Sequence, residues 1–109
     1  LDDKTVDPSA GDNIVIRFAA PQGHLDIVER LLKDPRVDPS ACENAAIRFA
    51  TLKGQFDIVR KLLDDKRVDP SVKDNIVIRF ATLKGQFDIV RKLLDDKRVD
   101  PSVKDNIVI

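Results

Sequence analysis

Residues 51–78 recur letter for letter as residues 82–109, a displacement of 82 − 51 = 31 positions. The same step runs through the rest of the chain. Val6-Asp7-Pro8-Ser9 returns at Val37, Val68 and Val99, Asn13 returns at Asn44, Asn75 and Asn106, and Gly23 returns at Gly54 and Gly85. A fixed period of about 20–50 residues marks a stacked-repeat architecture, in which a unit too small to bury its own apolar face covers it with its neighbour. The expected organisation is one repeat array over residues 1–109. It comprises a partial unit 1–12, units 13–43, 44–74 and 75–105, and a partial unit 106–109. A sequence cut inside a unit at both ends is what a segment of a longer array would give.

One unit reads as two short helices. Asn75 is placed to cap a first helix over residues 76–84, since its side-chain oxygen can accept from an unpaired amide of the first turn. Ile78 and Ala81 would face inward, helped by Val77 or Phe80. Gly85 follows, where a left-handed residue closes a helix at little cost. A second helix is expected over residues 87–95. Its apolar residues Ile89, Val90, Leu93 and Leu94 form one stripe on a 3.6-residue period. Asp88 sits in the first turn, where the helix dipole favours an anion. The Asp-Pro of Val99-Asp100-Pro101-Ser102 then sets a turn, with Val99 anchoring it. Helices of about 9 residues are marginal alone in water, so stacking must supply the stability.

Composition narrows the function. Lys plus Arg and Asp plus Glu both number 19, so the net charge is zero. A general nucleic-acid binder needs a basic excess facing phosphate, so no nucleic-acid partner is expected. No apolar run approaches the roughly 20 residues of a membrane span. The chain is 42% hydrophobic, too apolar for a disordered tail. Cys42 is the single cysteine. It makes no internal disulfide, which fits a reducing, intracellular setting.

The run Ile78-Arg79-Phe80-Ala81-Thr82, then Gly85-Gln86-Phe87-Asp88-Ile89-Val90 and Leu93-Leu94, resembles an ankyrin repeat. Gly23-His24-Leu25-Asp26-Ile27-Val28 follows that family's pattern most closely. The resemblance implies an all-α, ankyrin-like helix-turn-helix solenoid with short loops or minimal β-hairpins. It also implies protein partners met at loop tips and on the concave helix face. There are departures. The family period is about 33, two residues longer than here. Its Thr-Pro is replaced by Ile14-Val15, Ala45-Ala46 and Ile76-Val77, and its histidine by Arg17, Arg48 and Arg79.

No catalytic, cofactor-binding or metal-binding residue is expected. His24, the only histidine, reads as a hydrogen-bonding residue at a helix start, since a metal site needs several ligands. Cys42 has no partner base in a nucleophile motif. Arg17, Arg48 and Arg79 would each bond loop carbonyls or an aspartate. The ladder Asp26, Asp57 and Asp88 would neutralise them or serve the helix dipoles. Asp64-Asp65 and Asp95-Asp96 read as solvated loop carboxylates rather than an acid–base pair, and the phenylalanines as core or groove lining.

The units differ where a binding surface would vary. Those positions give the candidate protein-binding residues Gln22, Cys42, Leu52, Lys53, Lys73, Leu83 and Lys84. The expected function is a non-enzymatic scaffold for a protein partner. The competing expectation is a structural building block, natural or engineered, stacking head-to-tail on copies of itself, because identical units carry identical interfaces.

Overall fold

The computed structural model describes residues 6–70 and 72–99. The partial unit 106–109 and the turn residues Pro101 and Ser102 lie outside the described residues. Six helices follow in order: α1 (Ala10–Gln22), α2 (Leu25–Leu32), α3 (Ala41–Leu52), α4 (Phe56–Asp64), α5 (Val72–Leu83) and α6 (Phe87–Leu94). Each odd helix pairs with the next even one. Across pairs, α1 packs on α3, α3 on α5, and α2 on α4. Two helix layers result, in a rod 48 × 22 × 18 Å along its principal axes. There is no strand among the described residues, so the expectation of short loops holds and minimal hairpins are not formed.

The core repeats with the sequence. Ile16, Ile47 and Ile78 are buried at one step of the register, Val28, Val59 and Val90 at another, and Leu31, Leu62 and Leu93 at a third. Val37, Val68 and Val99 close it from the loops, as their place before Asp-Pro predicts. Two comparisons locate where burial happens. Ile58 and Ile89 are buried, but Ile27, at the same register, is 40% exposed. Ala45 and Ala46 are buried, whereas Ile14 and Val15 stand open. The difference is a preceding helix pair, which the first unit lacks among the described residues. Full burial of an isoleucine is worth about 1.5–3 kcal/mol, so the stack, rather than any one unit, carries the stability.

The entry to each first helix departs from expectation. Gly11, Asp12 and Asn13 sit at φ 63°, 55° and 62°, and Cys42, Glu43 and Asn44 at 57°, 57° and 60°. Each trio makes one left-handed turn, closed by Asn13 N donating to Ser9 O at 2.9 Å and Asn44 N to Ser40 O at 2.8 Å. The right-handed helix starts only after the asparagine. Glycine, aspartate and asparagine tolerate this region; Cys42 and Glu43 enter it at greater cost.

The asparagines are therefore not N-caps of their own helices. Asn13 Oδ1 accepts from the Asp38 amide at 2.8 Å, 25 residues on, and Asn44 Oδ1 accepts from the Asp69 amide at 3.3 Å. Asn13 and Asn44 are buried. A buried oxygen needs a donor, and the Val-Asp-Pro-Ser loop that leads into the next first helix supplies it. Within that loop Asp38 Oδ1 accepts from the Ser40 amide and hydroxyl at 3.0 and 2.6 Å. Each letter of Val-Asp-Pro-Ser thus has a role: Val37 and Pro39 are buried, the Asp38 amide reaches the asparagine 25 residues earlier, and Ser40 donates to the Asp38 carboxylate and so shapes the turn.

Candidate functional site

The first-helix layer presents one open surface of the rod, with Phe18, Phe49, Leu52 and Leu83 exposed on it. Between α1 and α3 lies a groove of about 550 Å³, lined by Arg17, Phe18, Pro21, Gln22, Phe49 and Lys53, with Ala45 at its base. Phe18 is 57% exposed and Phe49 is similarly open. Apolar side chains standing in water at regular register form a candidate contact surface. The repeat explains their position: Phe18 and Phe49 share one step, so they stand side by side along the stack.

Arg17 and Arg48 occupy the place where the family's histidine would sit, and the structure gives them the same task as the loop-bonding expectation. Arg17 Nε donates to Asp12 O at 2.9 Å and Nη2 to Gly11 O at 3.1 Å. Arg48 Nε donates to Glu43 O at 2.9 Å and Nη2 to Cys42 O at 3.3 Å. The guanidinium fork thus holds the carbonyls of the left-handed turn, offsetting its backbone cost. Arg48 also lies over the Phe49 ring, 5.2 Å from its centroid, and the Lys84 ammonium lies 5.5 Å from that of Phe80. At that range a cation is attracted to the ring face.

The expected neutralisation of Arg17 and Arg48 by the aspartate ladder does not occur. Asp57 and Asp88 both bind Arg60 instead. They lie on α4 and α6, in the second-helix layer, whereas Arg17 and Arg48 lie on α1 and α3. The Arg60 fork holds the Asp88 carboxyl below the usual carboxylate range, mainly through its hydrogen bond. Lys61 pairs with Glu29 at 3.5 Å, and Lys92 with Asp64. The second helices are therefore laced by ion pairs that cross from one repeat to the next.

His24 also departs from expectation. It stands at the N-cap of α2 but makes no side-chain capping bond. The glutamines at its register bond elsewhere: Gln55 Nε2 donates back to Pro21 O at 3.3 Å, and Gln86 Oε1 accepts from Arg60 Nη2 at 3.0 Å. Each glutamine reaches the preceding unit.

The loop aspartates are not simply solvated. Arg36, Arg67 and Arg98 grip Asp34, Asp65 and Asp96, with Nη2–Oδ2 distances of 2.8, 2.7 and 2.9 Å. Hydrogen bonds from Arg36 hold the Asp34 carboxyl at about 2, against an ordinary 3.8. The guanidiniums of Arg67 and Arg98 depress Asp65 and Asp96 in the same way. These carboxylates are structural. Among the described residues no group of three or more His, Cys, Asp or Glu is placed to hold a metal ion, and no helix is long and apolar enough to cross a membrane.

The candidate residues fall into two places. Gln22 and Lys53 line the groove. Leu52, Leu83 and Lys84 are exposed at the ends of α3 and α5, Leu83 by 80%. Cys42 is an exposed free thiol on the second left-handed turn. The side chain of Lys73 lies outside the described residues. Phe18 and Phe49 join the site from the structure; their recurrence was visible in sequence, but nothing there separated core from surface.

No curated protein and no solved structure matches the chain. The family described as "Ankyrin repeats (3 copies)" matches residues 16–105, which takes in all of α2, α3, α4, α5 and α6. Ankyrin repeats generally mediate protein–protein interaction. With that match over most of its length, and with paired helices stacked at a constant register, the chain belongs to the ankyrin-repeat family.

Proposed function

We propose that the chain is a non-enzymatic scaffold that holds a protein partner on the outer face of its first helices. Gln22, Leu52, Lys53, Leu83 and Lys84 are the contact residues, the turn at Cys42 supplies a loop-tip contact, and Lys73 joins it by its place one repeat on in the sequence. The observation that carries this reading is the groove between α1 and α3, where Phe18 and Phe49 stand exposed beside Lys53. Aromatic and cationic side chains on one rigid face are what a protein interface uses as anchors. The second-helix face offers less, because Arg60, Lys61 and Lys92 are already paired.

The test is selection from an unbiased displayed-peptide library on the purified chain, followed by mapping. Leu52→Glu and Leu83→Glu should abolish binding of the selected peptides while the helical circular dichroism stays unchanged. Peptides that still bind both variants, and are instead lost on substituting Arg91 of α6, would place the contact surface on the other layer.

A further inference from the structure

The chain has no net charge, but the fold sorts its charges. Carboxylates are taken up in the second-helix layer and the loops: Glu29 by Lys61, Asp57 and Asp88 by Arg60, Asp64 by Lys92. The right-handed stretches of the first helices, residues 14–22, 45–53 and 76–84, contain no Asp or Glu. They carry Arg17, Arg48, Lys53, Arg79 and Lys84. The same stretches bring Phe18, Phe49 and Phe80 into register and leave Leu52 and Leu83 exposed. The right-handed part of this face in a neutral protein is therefore cationic and apolar together, while Asp12 and Glu43 sit apart from it in sequence, in the left-handed turns at the helix entries.

On the reading proposed above, we infer that the partner is an acidic protein segment bound in extended form along the first-helix layer. Its carboxylates pair with Lys53 and Lys84, and its apolar side chains enter the groove beside Phe18 and Phe49. Charge complementarity selects it, because no carboxylate of these helix stretches competes for the lysines. The stacking sets its period. Neighbouring helices lie about 8–10 Å apart and an extended chain rises about 3.3 Å per residue, so about three partner residues span one repeat. An acidic residue at every third position meets successive lysines, and the residues between them meet the apolar row.

A polynucleotide fits less well. Arg17 and Arg48 each commit two nitrogens to turn carbonyls. Lys53 and Lys84 stand a full repeat apart in sequence, each directly after an exposed leucine, Leu52 or Leu83, rather than beside a further lysine. Tracking a phosphate backbone needs several cations in contact with it.

The experiment uses the whole chain and three fluorescent probes: a twelve-residue peptide of four Glu-Ser-Leu units, its Gln-Ser-Leu counterpart, and an oligothymidylate of twelve nucleotides. Fluorescence anisotropy at low salt should show the glutamate peptide binding at least about tenfold more tightly than the glutamine one. The double variant Lys53→Glu with Lys84→Glu should reverse that preference and take up a Lys-Ser-Leu peptide, with helical signal unchanged. Equal binding of the glutamate and glutamine peptides, or tighter binding of the oligothymidylate, overturns the acidic partner. If library-selected peptides of neutral composition bind and are lost in Leu52→Glu, the binding face stands and only the acidic partner falls. If no peptide maps to this face, both fall.

Discussion

Arg67 Nη1 donates to the carbonyl of Val37 at 2.6 Å, joining residues 30 apart in the chain. Its Nη2 reaches Leu32 O at 2.8 Å, while Nε and Nη2 hold Asp65 at 2.9 and 2.7 Å. Arg98 repeats the contact on Val68 O at 2.8 Å, and Arg36 reaches Val6 O at 3.0 Å. The aspartate two residues earlier aims the guanidinium, and the guanidinium fastens one repeat's loop to the last. The guanidinium spreads five donors over three nitrogens in one plane and so spans a carboxylate and two carbonyls; an ammonium offers three donors on a single atom and cannot match that geometry.

Arg67→Lys keeps the charge and removes the fork. Hydrogen bonds to charged groups contribute about 1.5–3 kcal/mol. The Arg67 side chain is 36% exposed, so solvent takes part of that, and the expected loss is about 1 kcal/mol. Urea unfolding should show a lower midpoint with an unchanged slope. A midpoint equal to that of the parent would mean that the clamp adds nothing to the stack.

Asn13 offers a cleaner separation of two costs. Its left-handed backbone, at φ 62°, suits asparagine, and its side-chain oxygen serves the Asp38 amide 25 residues on, in the loop before α3. Asn13→Gly keeps the backbone and leaves that amide without its acceptor, a loss of about 1–2 kcal/mol. Asn13→Ala adds the left-handed penalty of about 1–2 kcal/mol. Thermal unfolding should rank parent above glycine above alanine. If alanine equals glycine, the turn is not held left-handed in solution.

Much of this fold is legible in the sequence because its determinants are periodic. The stripe Ile89, Val90, Leu93 and the glycine closing each first helix follow from spacing alone, and both stand where expected. The asparagine role is not legible in the same way. An Asn before an apolar run is a good cap by local rules, and only the folded position of the loop before the next first helix reveals that its oxygen is claimed at a distance of 25 residues. Of the two roles open to Asp57 and Asp88, the place in the first turn of a second helix is met, while their ion pair is with Arg60 rather than the first-helix arginines: sequence gives the ladder, and packing decides what faces it. At the candidate site, internal variation pointed to Gln22 and Lys53, which line the groove. Phe18 and Phe49 recur at the same step as the buried isoleucines, so periodicity could not tell exposed from buried.

Gly23 and Gly85 hold the same register and predict different responses. Both have positive φ, 84° and 71°. A Cβ on Gly85 meets nothing within 4 Å, whereas on Gly23 it would come within 3.0 Å of the Gln55 side chain from the next repeat. Gly85→Ala should therefore lose only the backbone term, about 1–2 kcal/mol. Gly23→Ala should lose that and also displace the Gln55 amide from Pro21 O. In Gly23→Ala combined with Gln55→Ala the extra loss should vanish, which a double-mutant cycle in urea would read directly.

The Asp-x-Arg clamps also fix how the protein responds to acid. Asp34 is held at about 2 instead of 3.8, by hydrogen bonds from Arg36, and Asp65 and Asp96 are lowered by Arg67 and Arg98. A carboxyl with a depressed folded-state value stabilises the fold fully above its unfolded value. That contribution disappears as pH falls through the folded value. Stability should therefore be level above about pH 5 and decline between 3.8 and about 2, the window that Asp34 defines. Arg67→Gln supplies the control. Without the guanidinium, Asp65 returns toward its ordinary value, so the variant starts less stable at neutral pH and loses less on acidification. Carboxyl carbon titration by NMR should show the Asp65 midpoint rising in that variant while Asp34 stays low. If Asp65 titrates alike in both, the arginine is not what holds it, and the link between the loop clamps and acid unfolding is broken.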